Sequence, residues 1–401
     1  MQIIISAQER LNQRLIFFYF GVAALSLASR APEIKHNLNV SNGTFGILVS
    51  LGALGAILAF LFVGQAAHRF GVRPVLIGST FLLYGPISVL PHVHSIWGYI
   101  ATTLVIGFGA NAQFIVIHDQ ALKRQFLSGQ MALPSLHGYL SLGTFVSALL
   151  SLTITSHVSL AWHIDILMGV LWIFTMLAIY RLRSYLVTGS RKDDVETSAQ
   201  SNKIWSMLTS RQSLAFAYVC AIMLEFSTND WVTLLSKQEL GASSTLSVLP
   251  YLVFILGMII GRVGFHKLLQ FKPEIYWVRV ISRLGGVGFI SFLLLSKYLL
   301  EVNFLAAFLC QTLAFFIAGL GGSFLAGVLT QMASQRSELP AGVVVAQLSF
   351  ALTVLTFIVR LIISWVIQLS SITYGMVIPG IMLVAFSFSK TIELFEARVH
   401  K

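Results

Sequence analysis

The 401 residues are 56% hydrophobic and only 10% charged, whereas soluble globular domains carry about 25% charged residues, so a water-soluble surface cannot be built from this chain. The net charge of +11 is spread over short loops rather than gathered on one face, which argues against a nucleic-acid partner. Apolar runs of a length that crosses the roughly 30 Å hydrocarbon core recur from Leu15 onward, and they are continuous rather than alternating, which excludes a transmembrane β-barrel.

In chain order the runs predict an all-α integral membrane protein of twelve spans, at about 15–31, 44–67, 75–91, 96–117, 134–156 and 160–180, then 213–236, 245–262, 277–296, 304–330, 341–369 and 372–389. Polar residues precede the first run and no small-residue cleavage site follows it, so it is expected to be kept as a span. The longest polar stretch holds Arg191, Lys192, Asp193, Asp194 and Glu196. It divides the chain into a six-helix half at 1–180, a cytoplasmic linker at 181–211 and a second six-helix half at 212–401. Lys and Arg concentrate in the alternate loops that share a side with the N-terminus, which predicts a multi-pass protein of the cell membrane with both termini cytoplasmic. Cys220 and Cys310 lie inside apolar runs and are expected to pack as small hydrophobes. Six spans, a basic linker and six spans match the two-halved carriers that expose a midplane site alternately to each side.

The loop between the second and third spans reads Gly64-Gln65-Ala66-Ala67-His68-Arg69-Phe70-Gly71-Val72-Arg73-Pro74. It resembles the signature loop of the major facilitator superfamily, roughly G-x-x-x-D-R-x-G-R-R/K. His68 stands where the family has an acid and Val72 where it has a base, while Arg69, Gly71 and Arg73 match. The resemblance implies a cytoplasmic latch built on Gly64, His68, Arg69, Gly71 and Arg73; a tight turn obeying positive-inside statistics is the plainer reading. Gly257, Gly261, Arg262, Gly264, His266 and Lys267 echo this loop in the second half.

Three further stretches resemble the bacterial fucose-permease-like branch. They are Arg30-Ala31-Pro32-Glu33-Ile34-Lys35; Asn111-Ala112-Gln113 with Ser135-Leu136-His137-Gly138; and Glu225 with Asn229-Asp230-Trp231. The eleventh span departs, reading Leu348-Ser349-Phe350-Ala351-Leu352 and later Arg360 where relatives tend to be rich in Gly and Pro. The resemblance implies a proton-coupled secondary carrier of a sugar or related metabolite, working as a monomer. Efflux of a drug or metabolite, or sensing on a transporter fold, are the alternatives.

Glu225 lies mid-span, where an ionisable group costs on the order of 3 kcal/mol and needs a polar cavity or partner. A proton-coupling or substrate site is one reading, and a packing hydrogen bond to Asn229, one turn away, is the other. Asp230 is rotated about 140 degrees from Glu225, either as an outer-gate partner for Arg30 or as an interfacial acid beside Trp231. Asn111 and Gln113, with Gln311 and Thr312 in the tenth span, offer neutral groups to a substrate or bridge neighbouring helices. His137 is a candidate gate, relay or helix cap. Arg360 must meet an acid, backbone carbonyls or an anionic substrate. No His-Glu-x-x-His set and no Gly-rich Lys-Ser/Thr loop occurs, so no enzyme chemistry, metal or cofactor is expected.

Overall fold

A chain in hydrocarbon must satisfy its backbone polar groups internally, and a helix does so within one segment. The computed structural model describes residues 6–128, 133–187, 208, 212–335 and 341–392, and the regular structure among them is helical. The first six crossings are α1 (Ala7–Ala24) continued by α2 (Ala31–Leu38), α3 (Asn42–Ser50) continued by α4 (Gly52–Phe70), α5 (Val72–Val89), α6 (Ile96–Ser128), α7 (Leu133–Ile154) and α8 (Leu160–Leu182). The second six are α9 (Gln212–Gln238), α10 (Leu249–Leu268), α11 (Glu274–Leu299), α12 (Phe304–Gly322) continued by α13 (Leu325–Gln335), α14 (Ala341–Leu369) and α15 (Ile372–Ser387).

Ten of the twelve crossings are long and apolar enough to span a membrane on those grounds alone. The other two are α9, which carries Glu225, Asp230 and Lys237, and α15, which has only 16 residues. Helix ends overrun the apolar runs: α1 starts at Ala7, where the Ser6 side chain accepts from the Glu9 N–H at 3.1 Å, and α6 continues to Ser128. Hydropathy marks where lipid ends, whereas a helix continues until its caps or breakers stop it. At the α4–α5 turn the breaker is Gly71, whose φ of 88° lies in the region a side chain disfavours.

The chain divides into two compact units. The first contains the described residues up to Asn39, Leu48–Leu150, and those from His157 to Val187; the second contains Val40–Ile47, Ser151–Ser156 and the described residues from Leu208 onward. Without a hydrophobic drive between helices in lipid, close approach depends on small residues. In the first unit a Cβ at Gly55 would run into the Leu104 carbonyl, and one at Gly107 into the Gly52 carbonyl, which locks α4 against α6. In the second unit Gly319 approaches the Phe254 carbonyl and Gly285 faces Gly321, so α12 meets α10 and α11 by the same device. Segment Val40–Ile47 packs with the second unit: the Gly43 N–H donates to Gln368 Oε1 at 3.0 Å, and Gly46 sits against Ser364 and Trp231.

Candidate functional site

The main polar constellation of the second unit is built on α9, which turns Glu225 and Asp230 toward different neighbours. Glu225 is half-buried and has no hydrogen-bond partner among the described residues. The charge of Arg262 on α10 reaches it. Arg262 is anchored by donation from its Nε to the Ser323 carbonyl at 2.8 Å, in the break between α12 and α13 where the helical ladder is interrupted. Tyr251, also on α10, is fully buried; its hydroxyl has no hydrogen-bond partner and lies within electrostatic reach of both Glu225 and Asp230. Tyr218, one helical stretch before Glu225, holds Thr330 at 3.2 Å. The anticipated bond from Asn229 to Glu225 is not present.

Asp230 meets Arg360 of α14, with Nε to Oδ2 at 2.8 Å and Nη2 to Oδ1 at 3.1 Å. Only the Nη2 contact has hydrogen-bond geometry; the Nε approach is a charge contact, and the Phe226 ring lies under the guanidinium at 5.2 Å. Arg30, the partner expected for Asp230, is instead buried and paired with Glu33, and it also donates to the Val158 carbonyl at 3.0 Å. Which charges meet is decided by helix rotation, and spacing along one chain does not reveal rotation.

In the first unit Gln113 is fully buried beside the Tyr84 hydroxyl, which itself meets Thr175 at 3.1 Å. Asn111 turns its amide back to the Gly107 carbonyl at 3.1 Å, so these two amides do not converge. Being two positions apart on α6 places them about 200 degrees apart around it.

His137 pairs with His118, Nε2 to Nε2 at 3.1 Å, and His118 Nδ1 faces the Phe114 carbonyl at 2.8 Å. A carbonyl only accepts, so neutral His118 donates from Nδ1 and receives the His137 N–H at Nε2. His68, Arg69 and Arg73 are exposed around the Gly71 turn and form no ion pair among the described residues; Arg69 lies over Phe70 at 5.4 Å. His266 is helical, but its side chain lies outside the described residues. Gln311 belongs elsewhere: it contacts Ser236, eleven positions beyond Glu225 and so about 16 Å along α9.

Tyr251, His118 and the buried Glu9–Arg124 pair carry no signal in the sequence: a Tyr within an apolar run is unremarkable, and Glu9 and Arg124 lie outside the apolar runs, where charges are ordinary. Arg262 stands out in the sequence as part of the second-half loop echo, but its reach toward Glu225 depends on how α9 and α10 face each other.

Two six-helix sets of apolar helices with ionisable groups within them define a polytopic membrane protein. The family model of the Major Facilitator Superfamily matches residues 15–340, and the chain belongs to that superfamily. It is 21% identical over 346 residues to an uncharacterized MFS-type transporter of Yersinia pestis, covering 85% of this chain and 84% of the relative. It is 21% identical over 327 residues to the membrane protein MosC of Rhizobium meliloti, covering 80% and 74%. Among solved structures it resembles a D-xylose-proton symporter, with TM-score 0.73, 15% identity and coverage of 95% and 96%. It also resembles the nucleoside transporter NupG, with TM-score 0.69, 12% identity and coverage of 96% and 98%. The chain is thus a multi-pass membrane transporter of a small molecule and not an enzyme.

Proposed function

We propose that the chain is a proton-coupled secondary carrier for a neutral, hydroxyl-rich metabolite of the sugar class, with Glu225 as the proton-exchanging group. The observation that carries this reading is the setting of Glu225: mid-span on α9, without a hydrogen-bond partner among the described residues, in reach of the Arg262 charge and near the Tyr251 hydroxyl, itself unpartnered among those residues. A carboxyl with no hydrogen-bond partner among the described residues is not committed to a structural contact, which suits a group that takes up and releases a proton. Asp230 is already neutralised by Arg360, which leaves Glu225 as the acid of α9 free to cycle. Arg360 has spent its charge on Asp230, and that disfavours an anionic substrate. The solutes that name the two structural neighbours, D-xylose and nucleosides, are hydroxyl-bearing and agree with this class. Function as a monomer in the cell membrane, with both termini cytoplasmic and the loop from Gly64 to Arg73 as a cytoplasmic latch, completes the proposal.

The test is proton movement in liposomes holding the purified protein, driven by inward gradients of D-xylose and of a ribonucleoside, with Glu225→Gln alongside. Symport alkalinises the outside on solute addition in wild type, and Glu225→Gln removes the pH change while leaving solute exchange. Solute entry without proton movement, unchanged by Glu225→Gln, would overturn the coupling role.

A further inference from the structure

At the far end of α9 from Gln212, where the ends of α11, α12 and α15 come together, the second unit holds a half-open cavity of about 330 Å³. That is the low end of small-molecule sites, which run from about 300 to 1,000 Å³. It is separate from Glu225, which lies about 16 Å away along α9. Its lining has an apolar part, Leu235, Leu240, Leu293 and Leu300, and a polar wall on which Glu239 and Lys297 are already engaged and Glu301 is exposed. Glu239 uses both carboxylate oxygens to receive the Ile372 and Thr373 N–H groups and the Thr373 hydroxyl, and so caps α15. Lys297 donates to Ser371 Oγ at 3.0 Å and lies over the Tyr374 ring at 4.1 Å.

Gln311 is the exception on that wall. It is fully buried, it lines the cavity, and its amide nitrogen has no partner. Its one contact is the Ser236 hydroxyl at 3.3 Å, whose proton is already directed at the Val232 carbonyl at 2.8 Å. Leaving a buried amide group unmatched costs about 1–3 kcal/mol. A ligand hydroxyl would satisfy Gln311 whichever way the amide is turned, because a hydroxyl both donates and accepts. An ammonium only donates, and an anion would meet Glu239 and the exposed Glu301 with Lys297 already bound.

We propose that this cavity is a second binding site, for a neutral polyol of monosaccharide size, which lays its C–H face on the leucines and gives a hydroxyl to Gln311. The site is independent of the transport reading, since it stands wholly within the second unit and uses neither Glu225 nor Asp230.

The experiment is equilibrium calorimetry on the full chain in lipid nanodiscs, titrated with D-xylose and D-glucose, with choline and acetate as charged counterparts. Variants are Gln311→Leu, Leu300→Trp to fill the cavity, and Glu225→Gln. Two saturable sugar-binding components are expected in wild type, one at the transport site and one in this cavity. Gln311→Leu and Leu300→Trp should each weaken the cavity component at least tenfold, while the transport-site component persists in both, and Glu225→Gln should leave the cavity component in place. Gln311→Leu should not lower the melting temperature, because it exchanges an unmatched amide for a hydrocarbon of similar size.

Three results would overturn the site: neither sugar saturating the wild type, both sugar components unaffected by either cavity variant, or tighter binding of choline or acetate than of either sugar. A single sugar component, lost in Glu225→Gln but kept in Gln311→Leu, would place the sugar on the transport path instead and also sink the second site. Loss of proton coupling in the liposome test leaves these outcomes readable, so the two proposals fail separately.

Discussion

Asp230 and Arg360 show how a buried pair behaves differently under single and double substitution. Both side chains are mostly shielded, at 12% and 17% exposure, so removing one partner strands the other charge, which typically costs about 3–5 kcal/mol. Asp230→Asn and Arg360→Met should therefore each lower the melting temperature in detergent sharply. The double variant should recover most of the loss, because replacing both partners is often neutral. Equal, additive losses in a thermal double-mutant cycle would show that the pair is not coupled. A second residue-scale expectation concerns Gly71: at φ 88° and ψ 156°, a conformation essentially confined to glycine, Gly71→Ala should cost about 1–3 kcal/mol, read as reduced thermal stability. Sequence alone made Glu225, Asp230 and Arg360 conspicuous, because charge in an apolar run is costly wherever it points. It did not pair them, since Arg30 and Arg360 are equally plausible partners until the rotations of α9 and α14 are known.

At the scale of helices, contact is set by what is missing from side chains as much as by what is present. The α4–α6 crossing depends on Gly55 and Gly107, where an added Cβ meets backbone carbonyl atoms that cannot swing aside. Gly107→Ala and Gly55→Ala should force the helices apart and reduce the yield of monodisperse protein. Gly78→Ala, on α5 with nothing within 4 Å of its added Cβ, should be tolerated and favour the helix by up to about 1 kcal/mol. Size-exclusion profiles of the three variants check this, and equal behaviour of all three would refute the crossing. Most of the spans are legible because hydropathy averages over about 20 residues; α9 and α15 fall short on length and apolarity alone. The breaks at Leu25–Leu27, at Leu51 and at Ser323–Phe324 are not legible, since the apolar run passes through each without a proline. The Ser323 break matters for the site, because its carbonyl is what holds Arg262.

For the whole molecule, the twelve crossings make a topological demand that labelling can read. His94, exposed between α5 and α6, and Lys272, exposed between α10 and α11, should lie on opposite faces of the membrane if both termini are cytoplasmic. In a chain with Cys220 and Cys310 replaced by Ser, an impermeant maleimide applied to intact cells should label His94→Cys and spare Lys272→Cys. The reverse pattern would invert the orientation inferred from Lys and Arg placement.

A bilayer around this fold is expected to thin beside α15. Its 16 residues rise only about 24 Å, short of the roughly 30 Å hydrocarbon layer, while the 33 residues of α6 rise about 50 Å. Glu239 and Ser371 pin the start of α15 by capping it, so the helix cannot lengthen at that end to meet the lipid. Acyl chains along this flank must compress by several ångströms, at fractions of a kcal/mol for each. Bilayer thickness thereby becomes a variable of the carrier's own energetics, and the protein should partition toward thinner, shorter-chain lipid domains.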